Sequence, residues 1–227
     1  MSTPVAGFDP LYHNFAWLGL PTPQIEGIYA DNQKAKAPII AAYILLAMAK
    51  LRCRDHKTIS VAELFCADGF YALLAAHFGA HRCVGYDNDR DGHLQTASLI
   101  RDRLGLYNVS FRKTDVQAIP ADARFSIVAN VGGLYHVTDP VAVLQQSYAM
   151  ATDFLIVQNV VSLANESVDY FQQPAPGLDW GNRFSRQSFD ALIRDTGWSV
   201  VDSAFNRLTA NPRPEDQGSV YYLIEKN

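Results

Sequence analysis

Cysteine is scarce in this 227-residue chain: Cys53, Cys66 and Cys83 are odd in number and lack metal-ligand spacing. That favours free thiols in a reducing compartment over a disulfide framework, so a cytoplasmic location is expected. There is no basic excess either. Nineteen Lys and Arg against 23 Asp and Glu leave a net charge of −4, which speaks against a dedicated nucleic-acid surface while leaving a local basic patch open. Long hydrophobic runs are missing too. The longest, Ala37 to Leu51, contains Pro38 and Lys50 and falls short of the roughly 20 apolar residues of a membrane span. Pro4, Asp9 and Pro10 interrupt the start, where no basic stretch leads into an apolar one, so no secretory leader is expected. No His/Cys/Asp cluster has the spacing of a metal site, and no metal is expected. Gly-x-Ser-x-Gly, internal repeats and low-complexity tracts are also lacking.

What the chain does have is a large apolar content, 48% against 19% charged residues, enough for a sizeable core in one large domain. The first thirty residues carry Phe8, Tyr12, Phe15, Trp17, Pro21, Pro23 and Tyr29. They read as an aromatic arm laid over the main domain rather than as a regular element. From Asn32 a helix-forming run follows, with Ile40, Tyr43, Ile44, Ala47 and Met48 near helical spacing. Beyond it strands and helices alternate: SVAELFC, FYALLAAHF, CVGYD, DGHLQTASLIRDRLG, VSFRKTD, FSIVANV, DPVAVLQQSYAM, FLIVQNVV and SRQSFDALIRDTG. Asp139 with Pro140, and Ser185, mark helix starts. Two strands, WSVVDSAF and SVYYLIEK, close the chain with no helix between them. The pattern predicts an α/β fold, a Rossmann-like seven-stranded and mostly parallel sheet with helices on both faces. A terminal antiparallel hairpin is expected at about 198–226. Residues 1–57 are expected to form an arm and helix packed on a domain spanning 58–227.

In open α/β sheets a ligand lies outside the carboxyl ends of the strands. Four stretches of this chain fall there. Glu63-Leu64-Phe65-Cys66-Ala67-Asp68-Gly69 runs from the first strand into a turn. Asp87, followed by Asn88, ends the second strand 24 residues after Glu63, where a carboxylate can accept hydrogen bonds from both hydroxyls of a ribose. Asp115 and Val116 follow the third strand, placed to read an adenine edge. Asn130, Val131, Gly132, Gly133, Leu134, Tyr135 and His136 follow the fourth.

This ordered set resembles the class I S-adenosylmethionine-dependent methyltransferases, over about Thr58 to Lys226. The segments VAELFCADGF, VGYD, VGGLYHVTDP and WGNRF are similar to the tRNA wobble-uridine carboxymethyltransferase-like group of that family. The resemblance implies that S-adenosyl-L-methionine is the cofactor. Its methionine part would lie at Glu63, Phe65, Ala67, Asp68 and Gly69, its ribose at Asp87 and Asn88, its adenine at Asp115 and Val116, with Asn130, Val131 and Gly132 completing the site. The family's first turn usually carries two or three glycines, and this chain keeps only Gly69, with Phe65 and Ala67 at the other positions. The expectation is a negative φ at Ala67 and a Phe65 side chain directed away from the ligand.

Tyr135 and His136 are the candidates for catalysis. His136 either takes a proton from an acceptor hydroxyl or packs as part of the cofactor wall. His77, His81 and His93 are expected at the surface. Substrate determinants are expected on the arm, on the long connection Asn159–Phe184, and on the loop Asn206–Gln217. Asp169, Tyr170, Asp179, Trp180 and Arg183 in that connection suit a polar ring such as a sugar. The leading expectation is methyl transfer to an oxygen or nitrogen of a small metabolite, a sugar or glycan among the candidates. A tRNA-modifying enzyme and a cofactor-binding module without catalysis are the alternatives.

Overall fold

The computed structural model describes residues 7–55 and 58–226. The regular elements, in chain order, are α1 (Ile28–Cys53), β1 (Ser60–Leu64), α2 (Phe70–His77), β2 (Arg82–Asp87), α3 (His93–Leu104), β3 (Val109–Lys113), β4 (Phe125–Val131), α4 (Pro140–Met150), β5 (Ala151–Val161), β6 (Phe171–Gln172), β7 (Arg183–Phe184), α5 (Arg186–Asp195), β8 (Ser199–Arg207) and β9 (Gly218–Glu225). Seven of the strands form the expected mostly parallel sheet, and β6 with β7 forms a separate two-stranded ribbon. The chain divides into two compact units, Met1–Pro120 and Ala121–Asn227.

In the first unit β1, β2 and β3 run parallel in the order β3-β2-β1. Residues Val61 to Leu64 are all buried, the run of continuous burial that a parallel strand covered on both faces requires. Helix α2 is buried from Phe70 to Ala76, which its unbroken apolar sequence dictates. Helix α1 begins at Ile28, four residues before the expected start at Asn32, and continues through Pro38. Ile40, Ile44, Ala47, Met48 and Leu51 line its buried side at the 3–4 residue spacing of one helix face. Burial of that face outweighs the hydrogen bond that Pro38 cannot donate.

The second unit orders its strands β4-β5-β9-β8. Strands β4 and β5 are parallel, whereas β9 is antiparallel to both β5 and β8, so the terminal hairpin forms where the two helix-free strands place it. Phe154 to Val157 and Tyr221 to Ile224 are buried without a break. The Asp139 carboxylate accepts from Ala142 N–H at the start of α4, and Ser185 caps α5 in a reciprocal box with Ser188. The β6–β7 ribbon lies within the 159–184 connection, too short at two residues per strand for period-2 alternation to announce it. Among the described residues no helix is long and apolar enough to cross a membrane.

Candidate functional site

In the first unit, β1 delivers a turn whose backbone is left-handed at three positions. Phe65 has φ +59°, Ala67 +46° and Gly69 +76°. The expected negative φ at Ala67 is therefore corrected. The turn keeps the conformation that glycines would favour and imposes it on two side chains, at roughly 1–2 kcal/mol each. Gly69 has no such latitude, since a Cβ there would sit 2.2 Å from the Phe111 ring. Gly85 on β2 is restricted likewise, with Phe111 at 2.7 Å and the Cys66 sulfur at 2.8 Å from a Cβ built on it. Phe111 thus explains why these glycines stand here, and nothing in its own strand sequence signals it.

Three carboxyl groups hold this turn. Asp87, half-buried at the end of β2, accepts from Ala67 N–H at 2.9 Å and from Asp89 N–H at 2.7 Å. Each oxygen keeps further lone pairs, so the group is fixed in place and still able to accept from a diol. Glu63 is fully buried, and its carboxyl accepts from Ala72 N–H at 2.7 Å and Tyr71 N–H at 3.4 Å in the first turn of α2. Burial pushes its pKa up to about 8; Asp68 and Asp87 add to the rise, and the two N–H donors oppose it. Asp68, also fully buried, accepts from His13 N–H at 2.7 Å and lies 2.5 Å from His13 Nδ1. Among these acids sits the buried Cys66, its thiol pKa raised well above the ordinary range by burial and by Glu63, Asp87 and Asp68.

The remaining first-unit residues singled out from sequence sit in more open places. Asn88 is exposed and accepts from Arg90 N–H. Asp115 is exposed and caps a short 3-10 turn by accepting from Gln117 N–H, and Val116 behind it is buried. His77 and His81 are exposed. His93 is half-buried, its ring centre 6.1 Å from that of Tyr12 in an edge-on arrangement.

In the second unit, Asn130 is fully buried and donates to Ser147 Oγ at 2.8 Å. Val131 is buried, and Gly132 turns the chain with φ +75°. Leu134–His136 then forms a single 3-10 turn. The far end of the 159–184 connection folds back onto that turn. Asn182 Nδ2 donates to the Leu134 and Val137 carbonyls, both at 2.8 Å, and Asn182 N–H donates to the Tyr135 carbonyl. Gly181 permits the approach, because a Cβ on it would lie 2.5 Å from that same carbonyl oxygen. The consequence is an aromatic stack: Tyr135 and His136 rings at 4.2 Å, then His136 and Trp180 at 5.1 Å and nearly parallel at 12°. Trp180 is 44% exposed.

Arg183 departs from its expected place among sugar contacts. It is buried, binds Asp216 through Nε at 2.8 Å and Nη2 at 2.6 Å, and donates from Nη1 to the Asn182 carbonyl. Its guanidinium also lies 5.1 Å from the centre of the Tyr135 ring. The charge ties the LYH turn, the connection and the 211–217 loop together instead of facing a ligand. Asp169 and Asp179 are exposed. Two residues of these clusters escaped the sequence reading. His13 lies in an arm read for its aromatics, and Asp216 lies in the Asn206–Gln217 loop, where substrate determinants rather than a structural ion pair were expected.

A family model described as a methyltransferase domain matches residues 55–176, more than half of the chain. No curated protein sequence matches it significantly. Among solved structures, magnesium protoporphyrin IX methyltransferase from Synechocystis PCC 6803, with bound S-adenosylmethionine, aligns at TM-score 0.63 and 13% identity over 90% of this chain and 86% of that one. The N-terminal domain of EvdMO1 with bound S-adenosylhomocysteine aligns at 0.56 and 21% identity, covering 82% and 81%. A Listeria monocytogenes protein described as an S-adenosylmethionine-dependent methyltransferase aligns at 0.57 and 12% identity over 75% and 92%. At these identities the structural likeness speaks for the fold, and the family model for membership: the chain belongs to the methyltransferase-domain family.

Proposed function

We propose that this enzyme methylates an oxygen or nitrogen of a small metabolite of the sugar or glycan class, in the cytoplasm, with residues 58–227 as its catalytic domain and 1–57 as an added arm. The observation that carries the acceptor class is the half-exposed Trp180 ring stacked on His136. A rigid aromatic face with polar neighbours suits the C–H face of a sugar ring. The EvdMO1 neighbour, which was also crystallised with S-adenosylhomocysteine in the presence of D-fucose, points the same way.

The first-unit residues fit the donor. Asp87, fixed by two backbone N–H groups, is assigned to the ribose diol; Phe65, Ala67, Asp68 and Gly69, with Glu63 behind them, to the methionine end; Asn88, Asp115 and Val116 to the ribose and adenine surroundings. Asn130, Val131 and Gly132 are assigned to the donor on the family resemblance. When bound, S-adenosylmethionine supplies a methyl carbon already activated by its sulfonium. The chain's main task is then to position the acceptor. His136 takes the hydroxyl proton where the acceptor is an alcohol, with its ring orientation set between Tyr135 and Trp180. Transfer of label from S-adenosylmethionine to a panel of free and nucleotide-linked sugars tests the proposal; label on a sugar is expected. Label on unmodified tRNA instead would favour the wobble-uridine reading, which rests on the VGGLYHVTDP resemblance and has the net charge of −4 against it.

A further inference from the structure

The left-handed Phe65 and Ala67 raise a physical question: what keeps a turn in a conformation its side chains disfavour? Such strain persists only where the surroundings over-determine it. Two of the restraints belong to the sheet and α2, namely Asp87 on Ala67 N–H and Glu63 on Ala72 N–H. The third comes from the N-terminal arm. Asp68, the residue between Ala67 and Gly69, has both carboxylate oxygens engaged by His13, one by the backbone N–H and one by the ring.

His13 is itself held firmly. Its ring stacks on Phe70 at 5.0 Å and 24°, and Tyr12 and Tyr71 meet it edge-on. Phe15, fully buried, packs on the same Phe70 ring. Around them the arm is tied by Leu11 N–H to the Pro23 carbonyl, Ile25 N–H to the Leu11 carbonyl, and Thr22 Oγ1 to the His13 carbonyl. Gln33 on α1 joins in, donating to the Asn14 carbonyl and accepting from Asn14 N–H. The arm therefore presents one imidazole, in fixed orientation, to the one carboxylate inside the strained turn.

We infer that His13 is a positioning residue for the methyl donor: through Asp68 it holds the first turn in the shape that glycines hold in the family pattern. Loss of those glycines and gain of an arm contact then form a single device, and donor affinity depends on a residue 50 positions upstream of Glu63 in the chain. The inference rests on the reading that this turn and Asp87 hold the donor.

The test is calorimetry with S-adenosylhomocysteine on the full chain, together with the donor KM and kcat wherever an acceptor is in hand. His13→Ala should weaken binding about ten- to a hundredfold, the scale of lost hydrogen bonds to a charged group, raising donor KM far more than it lowers kcat. His13→Asn, whose amide can donate to Asp68 from the same side, should recover most of the affinity. The decisive variant is His13→Ala combined with Ala67→Gly. If His13 acts by holding a strained turn, relieving the strain at Ala67 must restore binding to within about fivefold of the parent, and this double variant also serves if His13→Ala alone does not fold. Affinity within threefold of the parent in His13→Ala, or no recovery in the double variant, overturns the inference. Asp87→Ala measured alongside separates two failures. Unchanged affinity there removes the donor from this turn altogether, whereas a loss there with none in His13→Ala removes only the role of His13.

Discussion

Replacing Glu63 with glutamine tests the electrostatics of the first turn most directly. The carboxyl is buried beneath α2 and has its pKa raised from 4.5 to about 8, chiefly by burial. Between those values the folded chain keeps a proton that the unfolded chain releases. The unfolded state then binds fewer protons, so stability falls as pH rises. Each pH unit across the interval costs about 1.4 kcal/mol, and from 4.5 to about 8 the loss attributable to this one group approaches about 5 kcal/mol. The stabilising contribution is thus complete below pH 4.5 and gone above about 8. The amide introduced by Glu63→Gln has no proton to lose and keeps an oxygen to accept from Ala72 N–H. Any cost of its extra N–H donors is the same at every pH. Urea unfolding of both proteins from pH 4 to pH 8.5 should show the variant gaining on the parent steadily through that range. Parallel stability curves, with a constant difference, would mean that Glu63 ionises at its ordinary pKa and that the two N–H donors fully offset burial.

Asp87→Ala should weaken S-adenosylmethionine binding by about 1.5–3 kcal/mol, the scale of charge-assisted hydrogen bonds; calorimetry on the folded variant measures it, and unchanged affinity moves the ribose elsewhere. Ala67→Gly alone should raise unfolding stability by up to about 1 kcal/mol, because relief of the left-handed strain exceeds the added flexibility of the unfolded chain, as chemical denaturation will show. His136→Ala should lower turnover on a hydroxyl acceptor about 10²–10⁴-fold with donor affinity little changed; an equal loss in donor binding would make His136 part of the cofactor wall. Arg183→Ala should cost about 1–3 kcal/mol of stability by removing its hydrogen bonds to the Asn182 carbonyl and to Asp216, which keeps Arg213 at 3.4 Å, and thermal unfolding that matches the parent would show the pair to be dispensable.

The strand and helix order, the terminal hairpin and the acid at the end of β2 were all legible in the sequence, since each is written in a local pattern. Continuous apolar runs such as FLIVQNVV specify buried strands, Asp139-Pro140 and Ser185 specify helix starts, and two strands without a helix between them can pair only as a hairpin. The methyltransferase family came from the resemblance of ordered segments such as VAELFCADGF, VGYD and VGGLYHVTDP, and the strand-end rule showed only where in the sheet a ligand would lie. Tertiary structure decided the rest. Whether Ala67 takes a negative or a positive φ depends on Asp87 accepting from its N–H across 20 residues of chain. Whether Arg183 meets a ligand or Asp216 depends on a loop 33 residues away. The partnership of His13 with Asp68 spans 55 positions. No local periodicity encodes such contacts: they are made only when folding closes long loops, and until then each polar side chain has water as an equally good partner.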